Sequence, residues 1–173
     1  MKLLIINNHD SFTFNLVDLI RKLNVPYDVL NVEDLKENTA ENYSHILISP
    51  GPDVPQVYPQ LFSMLEKYYQ QKSILGVCLG HQTLCEFFGG TLYNLEKVRH
   101  GQKRILKVRS NSPLFFSLPS EFNIGLYHSW GVQKEDFPSG LEITALCDED
   151  VVMAMQHKSL PIFGVQFHPE SYM

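Results

Sequence analysis

The chain has 173 residues, 44% of them hydrophobic, which suffices for one substantial core and leaves little room for a second domain. Lys and Arg total 14 against 19 Asp and Glu, a formal net charge of -5 with no basic run, so a nucleic-acid role has no electrostatic footing. No stretch approaches the roughly 20 apolar residues a membrane helix needs, and the N-terminus turns polar at Asn7-Asn8-His9-Asp10, too soon for a signal peptide; a soluble, cytoplasmic protein is expected.

In chain order, Leu3-Leu4-Ile5-Ile6 is a short apolar run of the kind found in strands covered on both faces. Asp10 and Ser11 are suitable N-caps for a helix in which Phe12, Leu16, Leu19, Ile20 and Leu23 recur at helical spacing until Asn24-Val25-Pro26. Strands are predicted at Tyr27-Leu30 and His45-Ile48, the latter closed by Ser49-Pro50-Gly51-Pro52, which neither helix nor ladder tolerates. Leu61, Leu65 and Tyr68 or Tyr69 mark a helix, and Ser73-Val77 a buried strand running into Cys78. This alternation predicts a parallel α/β sheet with helices on both faces. The second half has strand-like segments at Arg104-Val108, Ile124-Tyr127, Glu142-Leu146, Val151-Met155 and Ile162-Phe167, so antiparallel additions and an open mixed sheet are expected.

Gly76-Val77-Cys78-Leu79-Gly80 has the G-x-nucleophile-x-G spacing, with a predicted strand before it and a helix from His81 to Phe88 after it. A strand turning sharply into a helix strains its middle residue, and glycines on either side leave room for the turn. At the helix N-terminus unpaired N–H groups and the helix dipole favour thiolate over thiol. The bland alternative is a small apolar residue in a tight turn, the usual fate of a free cysteine. Cys85, mid-helix, reads as core, and Cys147, ahead of Asp148-Glu149-Asp150, as structural. Cys78 and Cys85 cannot pair on one helix, since seven residues at about 1.5 Å each separate them by roughly 10.5 Å. An odd number of cysteines fits a reducing compartment, and the seven histidines have no CxxC or HExxH companion that would suggest a metal.

A cysteine nucleophile needs a proton acceptor, and His168 is the strongest candidate because it follows the predicted strand Ile162-Phe167 and emerges at a strand end. His81 lies closer in sequence but projects from the side of the helix. Pro169 keeps His168 extended. Glu170, two residues on, then lies on the same side, about 6.5 Å along, and can turn back to orient the ring. Taken alone, His168-Pro169-Glu170 reads more readily as a surface turn; its combination with the elbow reverses that order.

These residues resemble the class I, triad-type glutamine amidotransferases, and among them the small subunits of anthranilate synthase and aminodeoxychorismate synthase. The likeness runs nearly end to end: Asp10-Ser11-Phe12-Thr13-Phe14-Asn15, Ser49-Pro50-Gly51-Pro52, Gly76 to Gln82, His100-Gly101, Tyr127-His128-Ser129 and Gly164 to Ser171. The resemblance implies attack by Cys78 on the side-chain amide of glutamine, proton transfer by His168, orientation by Glu170, and oxyanion donors at Gly51 and Leu79. It implies that Gly51, Gln82, Ser129 and the backbone of Trp130 hold glutamine. Ammonia would pass to a synthase subunit holding chorismate and Mg²⁺, giving anthranilate for tryptophan or, alternatively, aminodeoxychorismate for folate; no cofactor is implied in this chain.

Four positions depart from the pattern. Asp53 stands where the subgroup usually has a second glycine, and is expected to point to solvent. Gln102 replaces a common lysine, Trp130 a common leucine, and the sequence stops at Met173 where family members continue into a final helix. A competing reading of another class is a catalytically silent binding or regulatory relative, which has no reason to keep Cys78, His168 and Glu170 together. Amidotransferase units serving other acceptors, such as those of GMP synthetase or carbamoyl-phosphate synthetase, are disfavoured by the Asp10-to-Asn15 block.

Overall fold

A computed structural model describes residues 1–171, the Lys97 side chain apart. Short apolar runs form the first strands: β1 (Leu3–Asn7), β2 (Tyr27–Asn31), β3 (His45–Ile48) and β4 (Ser73–Val77). Between them lie α1 (Thr13–Arg21) and α2 (Pro59–Tyr68), and β4 runs into α3 (Leu79–Phe87). The second half supplies β5 (Leu92–Val108), β6 (Glu121–Val132), β7 (Leu141–Cys147), β8 (Val152–His157) and β9 (Ile162–Val165).

Among the described residues these strands form one sheet in the order β2-β1-β3-β4-β9-β8-β7-β5-β6. The first five in that order pair parallel and the rest antiparallel, so β9, last in the chain, is inserted at the seam beside β4. The open mixed sheet expected from the sequence is the one observed.

Strand alternation sorts the core into two layers. Leu4, Ile6, Ile46 and Ile48 pack with Leu61 and Leu65 of α2 and Leu79 and Leu84 of α3. Ile5, Leu47 and Val77 pack on the opposite face with Leu16 and Val17 of α1 and with Ile124, Leu126 and Met153 from the antiparallel half. Helices thus cover both faces, as anticipated.

Several boundaries differ from the sequence reading: α3 runs Leu79–Phe87 where His81 to Phe88 was expected, β6 extends well beyond Ile124-Tyr127, and β9 stops at Val165, two residues short of Phe167. Helix α1 stops at Arg21, three residues before Asn24 takes a left-handed φ of 54°, and it buries Leu16 and Val17 while leaving Leu19 and Leu23 exposed. Its N-cap is Phe12; Asp10 accepts the Phe12 N–H at 2.8 Å from outside the helix. Strand β5 begins twelve residues earlier than Arg104, because register shifts at Asn94/Arg99 and His100/Gln102 carry the ladder past charged residues and past Gly101, whose φ is 63°.

Candidate active site

Cys78 occupies the corner between β4 and α3 at φ 52°, ψ -101°, a conformation that L-residues rarely adopt and hold only when their surroundings enforce it. Its N–H donates to the Val165 carbonyl at 2.8 Å and its own carbonyl accepts the first helical bond from Gln82 at 3.1 Å. The flanking glycines are required by contact. A Cβ on Gly76 would overlap the Gly80 carbonyl, and one on Gly80 would overlap the Ile48 carbonyl oxygen. The first-turn N–H groups of α3, that of Leu79 among them, have no acceptor within the helix.

The register β4–β9 pairs Val77 with Val165, so the residues just beyond, Cys78 and Gln166, leave the sheet side by side. Two residues on, His168 is fixed by its N–H bond to the Gly125 carbonyl at 3.2 Å. Its Nδ1 donates to Glu170 Oε1 at 2.8 Å, with both side chains almost wholly buried. Nδ1 therefore carries the proton, while Nε2 is buried without a hydrogen-bond partner among the described residues, with Cys78 close enough to act on the ring. Burial disfavours the imidazolium, but hydrogen bonding and charge from Cys78 and Glu170 outweigh it and push His168 up to about 10.

Two aromatic rings grip the imidazole. Phe12 meets it edge-on at 5.0 Å and Tyr127 at 5.1 Å, while the two rings touch one another at 4.7 Å. Ring packing at this range restricts the rotation of the imidazole. Tyr127 is tied in turn to Ser171 through a hydroxyl–hydroxyl contact of 3.1 Å. Both aromatics fall in motifs noted in the sequence, which gave no sign that they touch the histidine.

The loop after β3 reaches the elbow at Gly51, where a Cβ would overlap the Leu79 side chain. Buried Asn8 pins this loop, its backbone N–H donating to Ser49 Oγ at 3.0 Å and its side-chain amide to the Ser49 carbonyl at 2.8 Å. Asp53 is exposed and accepts the Tyr58 hydroxyl at 3.2 Å, so its charge is directed away from the elbow, as expected.

Gln82 is buried on the first turn of α3, and its Nε2 donates to the Trp130 carbonyl at 3.0 Å and to Gln166 Oε1 at 3.1 Å. The Trp130 carbonyl also accepts from His128 Nδ1 at 2.7 Å. Ser129, between them on β6, is partly buried. Gly51 thus meets Leu79, and Gln82 ties α3 to Trp130 of β6, the strand that also carries Ser129. Gln102 is occupied within the chain, accepting from Arg99 at 3.1 Å and Arg104 at 3.2 Å.

The other candidates are placed elsewhere. His81 is fully buried on the flank of α3, where a Cβ on Gly164 would come within 2.7 Å of its Nδ1, and burial lowers its pKa to about 3. Cys85 is fully buried and its thiol is pushed up to about 12 by that burial, with Glu86 adding to the effect. Cys147 is also raised, with burial a larger cause than the neighbouring Asp148 and Glu149. All three cysteines are unpaired. Among the described residues no group of three or more His, Cys, Asp or Glu is arranged to hold a metal ion.

The profile of the family "Glutamine amidotransferase class-I" matches residues 4–173. A Haemophilus influenzae protein provisionally named anthranilate synthase component II is 93% identical over this whole chain and 90% of its own length. Anthranilate synthase component 2 of Lactococcus lactis is 37% identical over 98% of this chain and 86% of its own. Among solved structures, a glutamine amidotransferase of Thermotoga maritima superposes with a TM-score of 0.83 at 20% identity, over 98% of this chain and 76% of its own, a likeness of fold. With the profile spanning nearly every residue and relatives of such identity, this chain belongs to the class-I glutamine amidotransferases.

Proposed function

We propose that this single-domain chain is the glutamine-hydrolysing subunit of an anthranilate synthase, with Cys78 as nucleophile, His168 as proton carrier and Glu170 as its orienter. The observation that carries the reading is the buried His168–Glu170 bond of 2.8 Å delivered beside a strained cysteine corner. The names of the Haemophilus influenzae and Lactococcus lactis relatives supply the acceptor.

The chemistry follows from the charges. The Cys78 thiolate attacks the side-chain amide carbon of glutamine, and the negative oxygen that forms is met by the backbone N–H groups of Gly51 and Leu79. The His168 imidazolium gives its Nε2 proton to the departing nitrogen, the C–N bond breaks, and ammonia leaves a γ-glutamyl thioester. Neutral His168 then takes a proton from water, the resulting hydroxide displaces the sulfur, and glutamate leaves with Cys78 and His168 restored to the ion pair. Glu170 holds the tautomer throughout and stabilises the imidazolium in each step. Gln82, Ser129 and Trp130 line the place where the amino-acid end of glutamine would lie. With both Nε2 hydrogens of Gln82 already engaged, its carbonyl oxygen is the group left to accept from the substrate ammonium.

Ammonia protonated in bulk water is no nucleophile, so a synthase subunit must receive it directly, and the chorismate-binding machinery and Mg²⁺ belong to that subunit. The three unpaired cysteines suit the reducing cytoplasm. The test is incubation with a glutamine-mimicking electrophile followed by mass spectrometry. A single adduct on Cys78 is expected, with Cys78→Ser abolishing both labelling and glutaminase activity; labelling of Cys85 or Cys147 instead would sink the mechanism. Adding each candidate synthase subunit with chorismate and glutamine should yield anthranilate; aminodeoxychorismate as the amine formed would reassign the acceptor to the folate branch.

A further inference from the structure

Gln166 interrupts the apolar run Ile162-Phe163-Gly164-Val165-Gln166-Phe167, and it is completely buried. A buried glutamine is costly unless its amide is satisfied, so its partners indicate what it is for. Its backbone N–H continues the sheet by donating to the Met153 carbonyl at 2.9 Å, which fixes the side chain's origin. Its side-chain Nε2 lies 3.6 Å from Cys78 Sγ, within range for a donor to sulfur.

The direction of that bond is dictated two residues away. The Trp130 carbonyl can only accept, so the end of Gln82 that meets it must be the NH₂ group. The second hydrogen of the same NH₂ then needs an acceptor, which orients Gln166 with Oε1 toward Gln82 and Nε2 toward the sulfur. Reversing Gln166 would set two NH₂ groups against each other and a carbonyl oxygen against the sulfur. His128 reinforces the anchor by donating to the same Trp130 carbonyl.

We propose that Gln166 is a further catalytic residue, whose N–H donates to the Cys78 sulfur and stabilises it as thiolate, held in that polarity by the relay Trp130–Gln82–Gln166. The bond is strongest to the anionic sulfur and weakens as the thioester forms, so it holds the nucleophile charged and aimed before attack. The inference rests on Cys78 being the nucleophile. The titratable groups around the sulfur are His168 beside it, Glu170 behind His168, and the neutral rings of His128 and His81.

The test is the pH–rate profile of Cys78 alkylation by iodoacetamide, with the adduct located by mass spectrometry. Gln166→Met keeps the length and removes the N–H. Its midpoint should move to higher pH, with the rate at pH 7 falling about three- to tenfold. Gln166→Glu keeps the shape and the bond from Gln82 but places a carboxylate on the sulfur, and should move the midpoint further still. A glutamine that merely packs would lower the melting temperature and leave the midpoint alone, and that result in either folded variant overturns the proposal. If the Met variant does not fold, the Glu variant decides in the same way. An adduct at Cys85 or Cys147 in the parent protein would refute the nucleophile assignment itself, whereas an adduct at Cys78 with unmoved profiles refutes only the role of Gln166.

Discussion

At Gly80 a single added methyl group would have to occupy the position of a backbone oxygen, that of Ile48 in the neighbouring strand. Backbone cannot rotate aside as a flexible side chain can, so Gly80→Ala should cost about 2–4 kcal/mol and appear as a large fall in melting temperature. Gly89, by contrast, has open space around its missing Cβ, and its φ of 90° is what suits glycine there. Glu170 acts through charge. Glu170→Gln removes the negative partner of the imidazolium while preserving shape, and kcat for glutamine should drop by about 10³–10⁴. The same exchange has a signature in stability. His168 is raised in the folded protein from 6.5 to about 10, so its contribution is complete below pH 6.5 and is lost as pH rises through about 10. Thermal melts between pH 6 and 10 should show this alkaline decline in the parent protein and a shallower one in Glu170→Gln.

Between elements, what counts is register. Pairing of Val77 with Val165 sets Cys78 against Gln166, and a slip of one residue would replace that glutamine by Val165 or Phe167 and turn His168 to the other face. This explains what the sequence could and could not disclose. The elbow is local, its strand, glycines and helix being contiguous from Ser73 to Phe87, so spacing alone locates it. The pairing of His168 with Glu170 was legible but its geometry was not: instead of running extended, Pro169 and Glu170 form a turn closed by the Ser171 N–H on the His168 carbonyl at 3.1 Å, and the turn brings the carboxylate back to the ring. The clamp of Phe12 and Tyr127 joins α1's N-cap to β6 and depends on pairing that no local pattern records. Gln166 did leave a trace, a lone amide within an apolar strand end, but its partner is 88 residues away. The first half of β5 was missed because bulges break the alternation on which strand reading relies. Leu19 and Leu23 matched a helical stripe without being buried, since periodicity does not say where a helix ends.

For the molecule as a whole, acid should be more damaging than its modest net charge suggests. His81 and His128 are held neutral inside the fold, chiefly by burial, with pKa lowered to about 3 and about 4. Each is depressed below its unfolded value, so the associated stability is present above pH 6.5 and declines as pH falls toward those values, by up to about 1.4 kcal/mol per pH unit per ring. Melts from pH 7 to 4 should show a steep fall, and His128→Gln should flatten it. None of the described helices is long and apolar enough to cross a membrane. The insertion of β9 at the seam has a consequence in time as well as in space. A chain still being synthesised, or one whose last strand has come loose, holds the cysteine strand without the imidazole proposed to serve it. On the proposed mechanism a reactive sulfur is then a property of the finished fold, and the rate of thiol modification during refolding would report when the closing strand slots home.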